Sequence, residues 1–67
     1  MKRVLIRKVE GDLYLQPSGQ WSSDRDTAKA FETSIFAWYW AQEQQLLGIE
    51  IVLTFGDPIY DIVPLRR

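Results

Sequence analysis

One segment decides how this chain folds: residues 31–47, FETSIFAWYWAQEQQLL. The segment contains neither proline nor glycine, and Gly48 follows it directly. Thr33 and Ser34 are residue types that cap helix N-termini, and glycine is common just after a helix C-terminus. The sequence therefore predicts one main helix from about Ser34 to Leu47, with Gly48 as its left-handed C-terminal cap.

Strand and turn patterns occupy the chain on both sides of this helix. Apolar, β-branched runs bounded by glycine, aspartate and proline are typical of strands joined in hairpins. The predicted strands are Val4–Val9, Leu13–Gln16, Ile49–Phe55 and Ile59–Val63, with Pro64 ending the last one. Two hairpins around one helix predict an α+β fold of ββαββ order. Its mostly antiparallel four-stranded sheet would carry the helix on one face. A three-stranded version, in which one edge strand is too short to form, is the nearest alternative.

The length of 67 residues predicts a single small domain. A chain of this size buries only about 60% of the surface that its unfolded form exposes, so it needs additional stabilisation. Cysteine and histidine are both absent, which excludes disulfides and histidine- or cysteine-based metal sites. The remaining sources of stability are a dense aromatic core, for which the 13% aromatic content is suitable, and association with another chain.

The residue inventory predicts a protein that is not an enzyme and carries no metal or cofactor. The chain has no cysteine nucleophile, no histidine base and no glycine-rich phosphate loop. The segment Asp24-Arg25-Asp26 lacks the glycine and the closing glutamate of a calcium loop. Asp57 and Asp61 are the only paired carboxylates of interest, and aspartates in turns usually form local hydrogen bonds. No apolar run is long enough for a signal peptide or a membrane span, so we expect a cytoplasmic protein.

The predicted helix has more apolar surface than one sheet can cover. On a helical wheel, one face carries Phe36, Trp40, Gln44 and Leu47, which we expect to contact the sheet. The far side carries Ile35, Trp38, Gln42 and Leu46. These four residues form the predicted interface of a non-enzymatic interaction or assembly module, most simply a homodimer, with another protein as the other possible partner. The alternative is that Trp38 packs against its own chain as part of the core.

A nucleic-acid-binding accessory protein is the competing function. Its candidate residues are the cations at the two ends of the chain, Lys2, Arg3, Arg7, Lys8, Arg66 and Arg67. Tyr14, Trp21 and Tyr60 could act as stacking platforms if they share an open sheet face. The net charge of −1 argues against this function, since nucleic-acid-binding domains are usually strongly basic. The simpler interpretation is that these cations keep the domain soluble and protect its edge strands.

A loose motif runs through Trp21-Ser22-Ser23-Asp24, Ala28, Phe31, Thr33 and Ala37. It resembles small bacterial and phage-type ββαββ or ββαβ modules, in which a hairpin leads to Trp-Ser/Thr, then Ala-x-x-Phe, then a capped helix. The resemblance covers roughly residues 13–55 and implies the same fold, with a break in the chain near Glu32; it implies no site residues. The chain departs from these modules at residues 38–40, where their helices are more often rich in alanine and charge.

Overall fold

A five-stranded antiparallel sheet and one helix make up the fold, as seen in a computed structural model that describes residues 2–67. The elements in chain order are β1 (Arg3–Lys8), β2 (Leu13–Leu15), β3 (Trp21–Ser22), α1 (Ser34–Glu43), β4 (Ile49–Thr54), a 3₁₀ turn (Pro58–Tyr60) and β5 (Ile62–Arg66). The strands lie in the order β3-β2-β1-β4-β5. The predicted α+β class is confirmed, but the sheet has five strands where four were expected.

The additional strand is β3, which pairs with β2 through Tyr14 opposite Ser22 and Leu15 opposite Trp21. The turn before it is closed by two backbone hydrogen bonds, from Gln16 N–H to Gln20 C=O (2.8 Å) and from Gly19 N–H to Gln16 C=O (2.9 Å). Gly19 adopts φ +89°, a left-handed conformation that favours glycine. The strand escaped prediction because two residues are too few to show an alternating pattern.

The centre of the sheet is the β1–β4 pair, whose register runs from Arg3 opposite Thr54 to Lys8 opposite Ile49. Side chains on both faces of this pair are inaccessible to solvent, including Leu5 and Ile6, which point in opposite directions. On one face Ile6 belongs to the main core beneath the helix, while Leu5 packs with Tyr14 and Ala28 on the other face. Both faces of the central β1–β4 pair are therefore covered.

The chain between β3 and the helix turns at residues 25–28 and then runs beside the sheet at residues 29–31. Lys29 N–H donates to Leu15 C=O (2.8 Å), and Phe31 N–H donates to Val4 C=O (2.9 Å). The chain then bends at Glu32, as predicted. Thr33 is the N-cap of the helix, and its hydroxyl accepts a hydrogen bond from Phe36 N–H (3.0 Å).

The helix ends at Glu43, four residues before the predicted end at Leu47. Gln44 is its C-cap, and Gln45 takes a left-handed conformation with φ +58°, so Gly48 (φ +70°) turns the chain into β4 without capping the helix. A non-glycine residue in this conformation is uncommon, which is why glycine was expected to mark the helix end.

The helix presents Ala37 and Ala41 to the sheet, and both are completely buried. The face of the helix that was predicted to contact the sheet is therefore wrong. The observed contact face is rotated from it by roughly 100° about the helix axis, which is one residue step. Phe36, Gln44 and Leu47, which were expected to face the sheet, are exposed. The physical reason is the size of the side chains, because alanine lets the helix backbone approach the sheet closely.

The last strand begins three residues later than predicted. Proline at its start and a hydrogen bond from Ile59 N–H to Asp57 Oδ1 (3.1 Å) favour a 3₁₀ turn at Pro58–Tyr60. Pro64 was expected to end the strand but lies inside β5, beside an irregularity in the β4–β5 register. Because β5 is an edge strand, proline is tolerated there. Within the described residues, no helix has the length and apolar character needed to cross a membrane.

Candidate interaction surface

Three large side chains project from the outer side of the first half of the helix. Ile35, Phe36 and Tyr39 are between 56% and 64% exposed. Ile35 and Tyr39 are four residues apart, and Phe36 and Tyr39 are three apart, so Tyr39 is a surface neighbour of both. We refer to these three residues as the helix ridge. Because they lie opposite the buried alanines, the sheet beneath the helix cannot cover them.

Two tryptophans flank the alanine contact and belong to the domain itself. Trp38 and Trp40 are half-buried and pack against the main core. The Trp40 ring centre lies 5.6 Å from that of Phe31, and the Arg67 guanidinium lies 5.6 Å from the centre of the Trp38 ring. The tryptophans therefore close the two sides of the helix–sheet interface.

The four residues of the predicted interface are split by this geometry. Ile35 and Gln42 are exposed, whereas Trp38 and Leu46 are half-buried and pack against the core of their own chain. Arg67 Nε also donates to the backbone carbonyl of Leu46 (2.9 Å), which holds this segment against the end of β5. Trp38 therefore packs against its own chain, as the alternative interpretation proposed. The helix ridge contains two residues, Phe36 and Tyr39, that were not in the predicted set.

A second group of exposed apolar side chains lies in the connection from β4 to β5 and at the first residue of β5. Phe55, Ile59, Tyr60 and Ile62 are between 42% and 77% exposed. We refer to these four residues as the loop patch. No residue in the 3₁₀ turn is buried.

The loop patch is tied to the domain by an ion pair on the face of the sheet opposite the helix. Arg25 forms a fork with Asp61, with Nη1 to Oδ2 at 3.0 Å and Nη2 to Oδ1 at 2.9 Å. Arg25 also donates to the hydroxyl of Thr54 at the end of β4 and lies over the ring of Tyr14. A bidentate arginine–carboxylate pair restrains orientation as well as distance. We call this arrangement the Arg25–Asp61 clamp.

A second ion-pair group joins three neighbouring strands on the same face. Arg7 Nη2 donates to Glu50 Oε1 (2.8 Å), and Arg66 Nε donates to Glu50 Oε2 (2.9 Å). The hydrogen bond from Arg66 and those from Arg7 lower the pKa of the Glu50 carboxyl, against the opposing effect of burial. Burial also opposes ionisation of Asp61, but hydrogen bonds and the charge of Arg25 outweigh it, so the pKa of Asp61 is lowered too.

The cations proposed for nucleic-acid binding do not form one patch. Arg3 donates to the carbonyls of Arg25 and Ala28, and Arg7 and Arg66 share Glu50. On the helix side of the sheet, Lys8 lies 5.1 Å from the Trp21 ring centre and Arg67 lies over Trp38; Lys2 is exposed. The stacking candidates are also separated, since Tyr14 is buried, Trp21 is half-buried and Tyr60 belongs to the loop patch. The cations are therefore divided between the two faces of the sheet: Arg3, Arg7 and Arg66 bind acceptors on the face opposite the helix, while Lys8 and Arg67 lie on the helix side.

The two aspartates singled out in the sequence, Asp57 and Asp61, have different partners in the structure. Asp57 accepts the local hydrogen bond expected of a turn aspartate, from Ile59 N–H, whereas Asp61 pairs with Arg25, 36 residues away in the chain. Within residues 2–67, no cluster of three or more acidic, histidine or cysteine side chains is placed to hold a metal ion. A shallow concavity opens to solvent between the β1–β2 turn and the segment before β4, and its apolar lining is Val9, Leu13 and Leu47.

Comparison with known proteins adds no further constraint: no family model, curated protein or solved structure matches this chain. The resemblance to ββαββ modules stays a prediction. Only the exposed surfaces of the molecule itself therefore indicate a function.

Proposed function

We propose that this protein is a non-enzymatic interaction module that self-associates through the helix ridge. The observation that carries the proposal is the exposure of three adjacent large side chains, Ile35, Phe36 and Tyr39, on a helix whose opposite side is fully packed. At roughly 100 Å² of exposed surface each, they form a patch of about 300 Å². Contiguous apolar patches of this size or larger commonly mark interaction sites on small proteins.

The ridge is built on a rigid element, which reduces the cost of binding. The Thr33 cap fixes the first turn of the helix, and the buried alanines fix the helix against the sheet. The ring centre of Phe36 lies 6.5 Å from that of Phe31, so this side chain is supported from within the domain. Little conformational entropy is lost when such side chains are covered. A twofold arrangement would pack one ridge against its copy in a partner chain.

The test is a mass measurement in solution across a concentration series, by sedimentation or light scattering. We expect the wild type to have twice the chain mass at high micromolar concentration and Tyr39→Glu to remain monomeric. Loss of a central interface aromatic costs about 2 kcal/mol or more, which raises the dimer Kd at least about 30-fold. Ser23→Glu adds the same charge on an exposed loop and is the matched control. A wild type that is monomeric at high micromolar concentration would refute the proposal.

A salt series separates this proposal from the nucleic-acid alternative. An apolar dimer should persist or strengthen as salt increases, because burial of apolar surface does not depend on charge screening. Binding to a single-stranded oligonucleotide would instead weaken steeply between low and moderate salt. Tight, salt-sensitive oligonucleotide binding by a monomeric protein would favour the alternative.

A further inference from the structure

The segment that carries the loop patch is anchored to the rest of the domain near its end. Asp61, which lies between Tyr60 and Ile62, is fixed by two parallel hydrogen bonds from Arg25. Arg25 lies in the loop after β3, so the clamp joins two segments that are 36 residues apart in the chain. This ion pair restrains the chain at Asp61, next to Tyr60 and Ile62, before any partner binds.

The loop patch and the helix ridge lie at the same end of the molecule. A continuous row of paired residues crosses the sheet from Phe31 to Val4, then to Leu53, then to Ile62. Paired residues point to the same face, and Val4 belongs to the core beneath the helix, so Ile62 lies on the helix side. The helix begins three residues after Phe31, and its first turn carries Ile35 and Phe36.

The combined exposed area of the helix ridge and the loop patch limits what this end of the molecule can bind. Its seven exposed side chains contribute roughly 100 Å² each, about 700 Å² in total. A stable protein–protein interface buries about 800 Å² per partner, which the helix ridge alone cannot supply. Its seven side chains are apolar or phenolic, so they fit an apolar surface of the same kind, as a second copy of this chain would present.

We infer that the helix ridge and the loop patch form one continuous self-association surface, which a second copy of this chain covers. The inference rests on the proposed self-association and extends it to Phe55, Ile59, Tyr60 and Ile62. It also assigns a positioning role to the Arg25–Asp61 clamp, which touches no partner atom but holds the patch that does.

The experiment compares Ile59→Asp with Leu47→Asp by measuring the dimer Kd of each variant and of the wild type. Both residues are large, apolar and more than 70% exposed, at 77% and 74%. Leu47 lies beside Gly48, which accepts a hydrogen bond from Val9 at the opposite end of β1. We expect Ile59→Asp to raise the Kd at least tenfold and Leu47→Asp to leave it within about twofold. Circular dichroism confirms that each variant is folded.

The outcomes distinguish this inference from the proposed function. If Tyr39→Glu dissociates the dimer and Ile59→Asp leaves it intact, the helix ridge is the whole interface and the extension to the loop patch is wrong. If Leu47→Asp weakens the dimer as much as Ile59→Asp, the interface is at the other end and the inference is also wrong. A wild type that stays monomeric removes both proposals. Arg25→Met is a second variant, and its Kd should rise without any change to the surface side chains.

Discussion

At the scale of single residues, Arg25 makes the largest number of connections between distant parts of the chain. Its guanidinium contacts Tyr14 in β2, Thr54 in β4 and Asp61 before β5. The side chains of Arg25 and Asp61 are only 21% and 11% exposed. Across residues 2–67, every buried side-chain nitrogen and oxygen has a hydrogen-bond partner, so the network is complete. Removing one side chain of this network leaves the polar groups of its partners without a hydrogen bond.

We therefore expect Arg25→Met to lower the free energy of unfolding by about 1–3 kcal/mol, because the buried Asp61 carboxylate loses its partner. Arg66→Met is the matched control. Arg66 is 72% exposed, and its partner Glu50 keeps the ion pair with Arg7. An exposed ion pair contributes at most about 1 kcal/mol. Urea denaturation measures both variants, and equal losses would show that the clamp has no special role.

At the scale of elements, the position of the helix depends on its two smallest side chains. Ala37 and Ala41 are one turn apart and face the sheet, with Trp38 and Trp40 on either side. The prediction from the sequence placed the largest apolar residues of the helix against the sheet instead. Periodicity reports which residues are apolar, but close packing depends on shape, and alanine between two tryptophans fits a flat sheet better than a row of aromatic rings.

We expect Ala41→Leu to destabilise the fold by about 1–3 kcal/mol, because the added atoms have no space between the helix and the sheet. The measurement is thermal or urea unfolding followed by circular dichroism. Ala30→Leu makes the same change at an exposed position and should leave stability within about 0.5 kcal/mol. Equal stability of the two variants would contradict the close contact between the helix and the sheet at Ala41.

Some elements could be predicted because residues close together in the sequence determine them. Thr33 caps the helix as expected, and the alternating run at Ile49–Thr54 forms the predicted strand. Two other features depend on tertiary neighbours. The pairing of Trp21–Ser22 needs β2 beside it, and Pro64 is accepted in β5 only because that strand is at the edge. The exposed face of the helix was only partly predictable for the same reason. Ile35 was expected on the outer side and is exposed, but Phe36 was expected against the sheet and Tyr39 was in neither set, because the rotation of the helix was not known.

At the scale of the whole molecule, the sheet has two chemically different faces. The helix face is apolar, whereas the opposite face carries the two ion-pair groups centred on Glu50 and Asp61. Both carboxyls have pKa values below their ordinary range in the folded chain. In the unfolded chain they titrate near their usual pKa values of about 4.

This difference predicts that the fold loses stability in acid. A carboxyl with a lowered pKa in the folded state contributes stability that is present above its unfolded-state pKa. That contribution is lost as the pH falls through the folded-state pKa. We therefore expect the urea midpoint to be constant above about pH 5 and to decrease progressively below about pH 4. Asp61→Asn should be less stable at neutral pH and less sensitive to acid; a pH profile parallel to that of the wild type would contradict the role of this carboxyl.

The two outer strands determine how large an assembly of this protein can become. β3 has only two residues, and β5 has a proline and an irregular register. A further chain would find few free amide groups with which to extend the sheet from either side. Contact through a single self-complementary patch closes after two copies, whereas strand addition could continue without limit. For a protein that self-associates as proposed, the shape of the sheet edges therefore favours small discrete particles over fibres.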